Sequence, residues 1–164
     1  MRIHEWLDSS VGSPLSEQDI TSAERALGCR LPQDYRDFLK LYNGGYLKNN
    51  YLPVHTTRGR AWVVNVALQA LVPSAGSRDV DIVSMQPEWM ACIPSDCIVI
   101  GDPEGDCGIV MYVRGNRCGQ VWIKSVNDDN NKPESGMYYC AESFTAMMKL
   151  LQTGSPGSEA QYID

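Results

Sequence analysis

Histidine is nearly missing from this chain: His4 and His55 are the whole supply in 164 residues. That scarcity removes most nucleophilic schemes, which need a Ser or Cys beside a base. Neither histidine sits in a recognisable catalytic context. The six cysteines, Cys29, Cys92, Cys97, Cys107, Cys118 and Cys140, include no Cys-x-x-Cys pair. With no metal-ligand spacing at either histidine, no zinc and no other cofactor is expected. Gly44-Gly45 lacks the preceding strand and following Lys-Ser/Thr of a phosphate loop. No apolar run reaches the roughly 18 residues of a membrane span. Met1 to Trp6 carries neither the long apolar core nor the small-residue cleavage site of a signal peptide. The expectation is a cytoplasmic protein with reduced thiols and no membrane partner.

Basic charge is missing from one third of the sequence. Between Asp79 and Val113 there is no Lys or Arg, against seven acids: Asp79, Asp81, Glu88, Asp96, Asp102, Glu104 and Asp106. The flanks are near balance, so this segment accounts for the whole of the net charge of −6. A nucleic-acid binder is expected to show the opposite sign, and none is expected here. A partner with a basic surface would be attracted; solvated loop carboxylates that maintain solubility are the alternative. Asp102, Glu104 and Asp106 fall on one turn. As a calcium loop counted from Asp102, the sixth and twelfth positions are Cys107 and Val113, where glycine and a bidentate Glu are needed. Asp128 and Asp129 mark a polar loop. Trp122 lies on a strand and is either core or an interface anchor. These residues form the candidate partner-binding set: Asp102, Glu104, Asp106, Trp122, Asp128 and Asp129.

Periodicity gives the elements. Trp6 and Leu7 belong to a short leading helix. Ser16 caps a helix with Ile20, Ala23 and Leu27 on its apolar stripe and Gly28 at its end. Pro32 opens a second helix as its first residue. Tyr35, Phe38, Leu39 and Tyr42 share one face of it, and Asn43-Gly44-Gly45 end it. Tyr51–Val54 and Arg60–Val66 are extended, Ala67–Leu71 is a helical turn, and Pro87 breaks any long element in 82–93. Cys97–Ile100 is a strand buried on both faces. Gly108–Val113, Gly119–Lys124 and Met137–Cys140 continue an antiparallel meander, and Cys107 and Cys118 face each other across its hairpin. Ser143 caps a last helix with Phe144, Met147, Met148 and Leu151 on its apolar face. Together these predict one α+β domain over residues 1–152 with a flexible tail over 153–164. A twisted antiparallel sheet of about five to six strands has its helices packed on one side and at one edge.

The string Leu31-Pro32-Gln33-Asp34-Tyr35-Arg36-Asp37-Phe38-Leu39, followed by Asn43-Gly44-Gly45, resembles a signature of the SUKH superfamily (the Smi/Knr type). The match is strongest over Ile20–Gly45. A weaker one spans Ile93–Leu151, where Cys97-Ile98-Val99-Ile100-Gly101-Asp102 precedes a glycine turn and Ala141-Glu142-Ser143-Phe144 starts the last helix. The resemblance implies the same α+β fold and no catalytic motif. It also implies a binding function, since the group holds many bacterial immunity proteins and a fungal cell-wall regulator. The expected function is a non-enzymatic immunity protein that occludes a basic toxin domain, often a nuclease. The alternative is a regulatory protein–protein interaction module in a cell-wall or signalling complex.

Overall fold

The computed structural model describes residues 7–10, 12–48, 51–72, 81–103, 105–127, 132–151 and 161–163. In chain order the elements are β1 (Leu7–Ser10), α1 (Glu17–Leu27), α2 (Gln33–Leu39), β2 (Gly45–Leu47), β3 (Tyr51–Thr56), β4 (Gly59–Val64) and β5 (Ala67–Leu68). They continue with α3 (Ile82–Trp89), β6 (Cys97–Asp102), β7 (Cys107–Tyr112), β8 (Val121–Ser125), β9 (Met137–Ala141) and α4 (Phe144–Leu150).

The helix ends follow local chemistry. Ser16 Oγ accepts the Asp19 amide while the Asp19 carboxylate accepts the Ser16 amide, a reciprocal cap for α1. Gly28 closes that helix in the left-handed region at φ +67°. Ser143 Oγ accepts the Ala146 amide at the start of α4, and Asp34 on α2 accepts the Thr145 amide there at 2.8 Å. Arg36 is buried on α2 and reaches both Glu17 and Glu24 of α1. Glu24 also accepts the Leu31 amide. The α1–α2 hairpin is therefore locked by a satisfied buried cation as well as by apolar packing.

The described strands form one antiparallel sheet in the order β1-β2-β5-β6-β7-β8-β9-β3-β4. The α+β class and the β6-β7-β8-β9 meander agree with the sequence expectation, but the sheet has nine strands, not five or six. The additional strands include β1, β2 and β5, with four, three and two residues. So few positions leave no period-2 pattern to read. β5 replaces the helical turn expected at Ala67–Leu71. Leu7 lies in β1, not in a leading helix, and Trp6 is outside the described residues. Pro32 is the N-cap of α2, one position earlier than expected. Pro87 sits inside α3, near its end. Cys107 pairs in register with Ser125, at the opposite end of the β7–β8 hairpin from the turn that carries Cys118, so the two cysteines do not face each other. Gln161–Ile163, expected in a flexible tail, pair with Trp62 of β4 in both directions of the backbone at 2.9 Å.

The main core lies between one sheet face and α1, α2 and α4. Tyr35, Phe38 and Phe144 form its aromatic centre, with ring centroids 4.9 Å apart from Phe144 to each of the other two. α3 runs along the part of β6 that the two-residue β5 leaves unpaired. There Gln86 accepts the Val99 amide and donates to the Val99 carbonyl, both at 3.1 Å. This arrangement puts Met85 and Trp89 on the other sheet face, in a second apolar cluster with Ile93, Val99, Val110, Tyr112 and Trp122. β6 and β7 are buried on both faces for that reason.

Candidate protein-binding surface

The candidate residues divide between two regions. Asp102 and Asp106 bracket the β6–β7 turn, and both are exposed. Asp102 opens on a cleft lined by Tyr46, Asn65, Ala67, Gln69 and Pro103, on the β2–β5 side. Partial burial there pushes its carboxyl above the usual range. Asp106 faces the other way: its carboxylate accepts from Asn127 at 3.2 Å and its carbonyl accepts the Val126 amide. Trp122 stands on β8, four residues before Val126, which is about 13 Å along a strand. The structure therefore separates Trp122 from the acidic turn. Glu104, Asp128 and Asp129 lie outside the described residues.

Trp122 is half-buried and fixed on several sides. Its indole N–H donates to Gln120 Oε1 at 3.1 Å. Its ring meets Tyr112 edge-on at 6.1 Å and Tyr139 edge-on at 5.4 Å. Arg117 lies over both Tyr112 and Trp122, 5.4 Å from each centroid, and donates to the Tyr112 hydroxyl at 3.0 Å. The turn that carries Arg117 is anchored in turn by Arg114, which donates to the Ser95 and Gly28 carbonyls. Lys124, two residues after Trp122, is buried and donates to the Lys132 and Ser135 carbonyls, fastening the β8–β9 loop. Tyr112, Arg117 and Tyr139 were not singled out by the sequence. Each is ordinary in its local pattern, and only the pairing of β7, β8 and β9 gathers them around Trp122.

Among the described residues, no group of three or more His, Cys, Asp or Glu side chains could hold a metal. The buried thiols of Cys97 and Cys140 are pushed up to about 12 by burial, which makes them poor nucleophiles at neutral pH. A preorganised Arg laid on two aromatic rings is instead the kind of group that dominates protein interfaces.

Residues 14–150 match the model of the SMI1 / KNR4 family (SUKH-1). The chain belongs to that family. The match covers every element from α1 to α4, and so includes both the acidic turn and the Trp122 cluster. No curated protein matches the sequence significantly. Within this SUKH-1 chain, the Leu31–Gly45 signature maps to structural positions. Tyr35, Phe38 and Leu39 are fully buried. Asn43, buried as well, accepts the Leu71 amide at 2.7 Å and donates to the Val72 carbonyl at 2.9 Å. The signature therefore marks the fold. No helix among the described residues is long and apolar enough to cross a membrane.

Proposed function

We propose that this chain is a non-enzymatic binding protein of the immunity type, which seats on a cognate toxin domain in the cytoplasm and blocks it by occlusion. Family membership over residues 14–150 carries this reading, because SUKH proteins are commonly immunity proteins. The charge distribution supports it. A nuclease toxin holds phosphates on basic surface, and an acidic inhibitor can cover that surface and steer its own approach. In this reading Asp102 and Asp106 belong to the charged rim, with Glu104, Asp128 and Asp129 assigned to the same role by sequence. Trp122 supplies the desolvated anchor.

The test is co-purification from native cells with the tagged chain, read by mass spectrometry. The expected result is one stoichiometric polypeptide with a basic toxin domain whose activity stops on addition of the purified chain. Capture of a wall-synthesis or signalling enzyme in its place, with no inhibition of any toxin, would assign the chain to a regulatory module.

A further inference from the structure

The sheet face that carries Trp122 has a charge pattern opposite to that of the whole molecule. Strands β3, β4, β7, β8 and β9 contain no Asp or Glu, and present Arg60 and His55 at the surface, while Lys124 is buried against two carbonyls. Strand register places several of their side chains in a single row at right angles to the chain direction. Arg60 pairs with His55, His55 with Tyr139, Tyr139 with Trp122, and Trp122 with Val110. Neighbouring rings touch along it, with His55 and Tyr139 at 6.1 Å. A guanidinium lies at each side of the exposed part of the row: Arg117 over Trp122 and Tyr112, and Arg60 over Trp62 at 5.9 Å. Arg60, His55 and Arg117 are exposed. Among the described residues neither arginine forms an ion pair. Glu134 is near enough to act electrostatically on Tyr112, yet it does not pair with Arg117.

We propose that this row is a docking strip for an acidic protein segment that crosses the strands. It has one carboxylate on Arg117, one on Arg60, and an apolar side chain between them over Tyr139 and His55. The strip spans three strand spacings from Trp122 to Arg60, about 14 Å. An extended peptide covers that length in about four residues and points residues i, i+2 and i+4 to one side. The recognised pattern is therefore acid-x-apolar-x-acid. Charge complementarity selects the class of occupant, and stacking under Arg117 has already ordered the receptor, so little is lost on binding. A single-stranded nucleic acid fits less well. Trp122 meets its neighbours edge-on, at 68° and 80°, so the rings do not offer the parallel platforms on which bases stack. The net charge of −6 also repels a polyanion at a distance.

The inference rests on the chain being a binding protein but not on its partner being a toxin. A peptide titration needs no toxin and the co-purification needs no peptide, so either can fail alone. The probe is the blocked pentapeptide Glu-Thr-Leu-Thr-Glu, titrated into the full chain and followed by backbone and indole NMR shifts. Shifts should centre on β8, β9 and β3. The Gln-Thr-Leu-Thr-Gln peptide and the scrambled Glu-Glu-Leu-Thr-Thr peptide should each bind about tenfold more weakly. Arg117→Gln and Arg60→Gln should each cost a similar factor; Arg117→Gln also shifts the amides around Tyr112 and Trp122, whereas Arg60, far from the Trp122 stack, tests the charge with the amide spectrum there unchanged. Equal binding of the amide peptide, shifts elsewhere on the molecule, or tighter binding of a hexathymidylate would each overturn the proposal.

Discussion

Phe38 shows at residue scale how much of the stability sits in single positions. Its ring is fully buried, 4.9 Å from Phe144 and 5.9 Å from Tyr42. Phe38→Ala removes a side chain that the packed helices cannot replace, and should cost about 3–5 kcal/mol in a urea titration. A loss under about 1 kcal/mol would mean that this face is not core. Burial also leaves its mark on titration. Tyr35 has a buried hydroxyl with no partner among the described residues, and burial raises its pKa. The Cys97 and Cys140 thiols are raised to about 12 by the same cause. A group whose folded pKa lies above its unfolded value holds its proton more tightly in the native state, so native stability falls as the unfolded chain begins to ionise. For the thiols this contribution is intact below about pH 8.5 and is lost as pH rises towards 12. The urea midpoint should therefore hold from pH 7 to 8 and decline from pH 9 to 11. Replacing both cysteines with alanine should flatten that decline, and an equally steep fall in the double variant would assign it to other groups.

Among the elements, Asn43 shows why a motif can be legible while its reason is not. In sequence, Asn43-Gly44-Gly45 reads as a helix stop. α2 in fact ends at Leu39, and Asn43 serves as a hydrogen-bonded bridge from the end of the helical hairpin to Leu71 and Val72, beyond β5. Gly44 is required because a Cβ there would meet the Leu68 carbonyl oxygen at 2.7 Å, and its φ of +81° favours glycine as well. Asn43→Ala leaves the buried Leu71 amide without its acceptor and should cost about 2 kcal/mol. Asn43→Asp keeps that acceptor and should cost less at low pH, where the carboxyl can still donate; equal losses for the two variants would show that the bridge is not what matters. The elements that were legible share strong local signals: capping serines at Ser16 and Ser143, helical stripes, and the apolar runs of β6 and β7. What escaped was short or non-local. β2 and β5 are formed by pairing rather than by propensity. α3 reads ambiguously because its face is divided between the edge of β6 and the second cluster.

At the scale of the whole molecule, the two chemistries of the surface lie apart, with acids on the turns and cations with aromatic rings on the open sheet face. Composition revealed the first, since an unbroken acidic segment is visible in any reading. The second was hidden because its members, Arg60, His55, Trp122 and Tyr139, lie up to 84 residues apart and meet only through the pairing of β3 with β9. The separation predicts a kinetic division of labour in partner binding. Rim carboxylates act while the partners are still apart, whereas a desolvated anchor acts once they have met. Asp102→Asn, Glu104→Gln and Asp106→Asn together should slow association with a basic toxin about tenfold at low salt. The effect should shrink towards 0.5 M salt, where the screening length is about 4 Å. Because Asp102 and Asp106 are exposed, the triple variant should retain its stability to within about 0.5 kcal/mol. Trp122→Ala should do the reverse, leaving the association rate nearly unchanged and raising the dissociation rate by about tenfold or more. Stopped-flow association and surface-binding dissociation, each measured at two salt concentrations, separate the two. If the acidic variant associates at the wild-type rate in low salt, the turn serves solubility alone, and recognition falls to the sheet face.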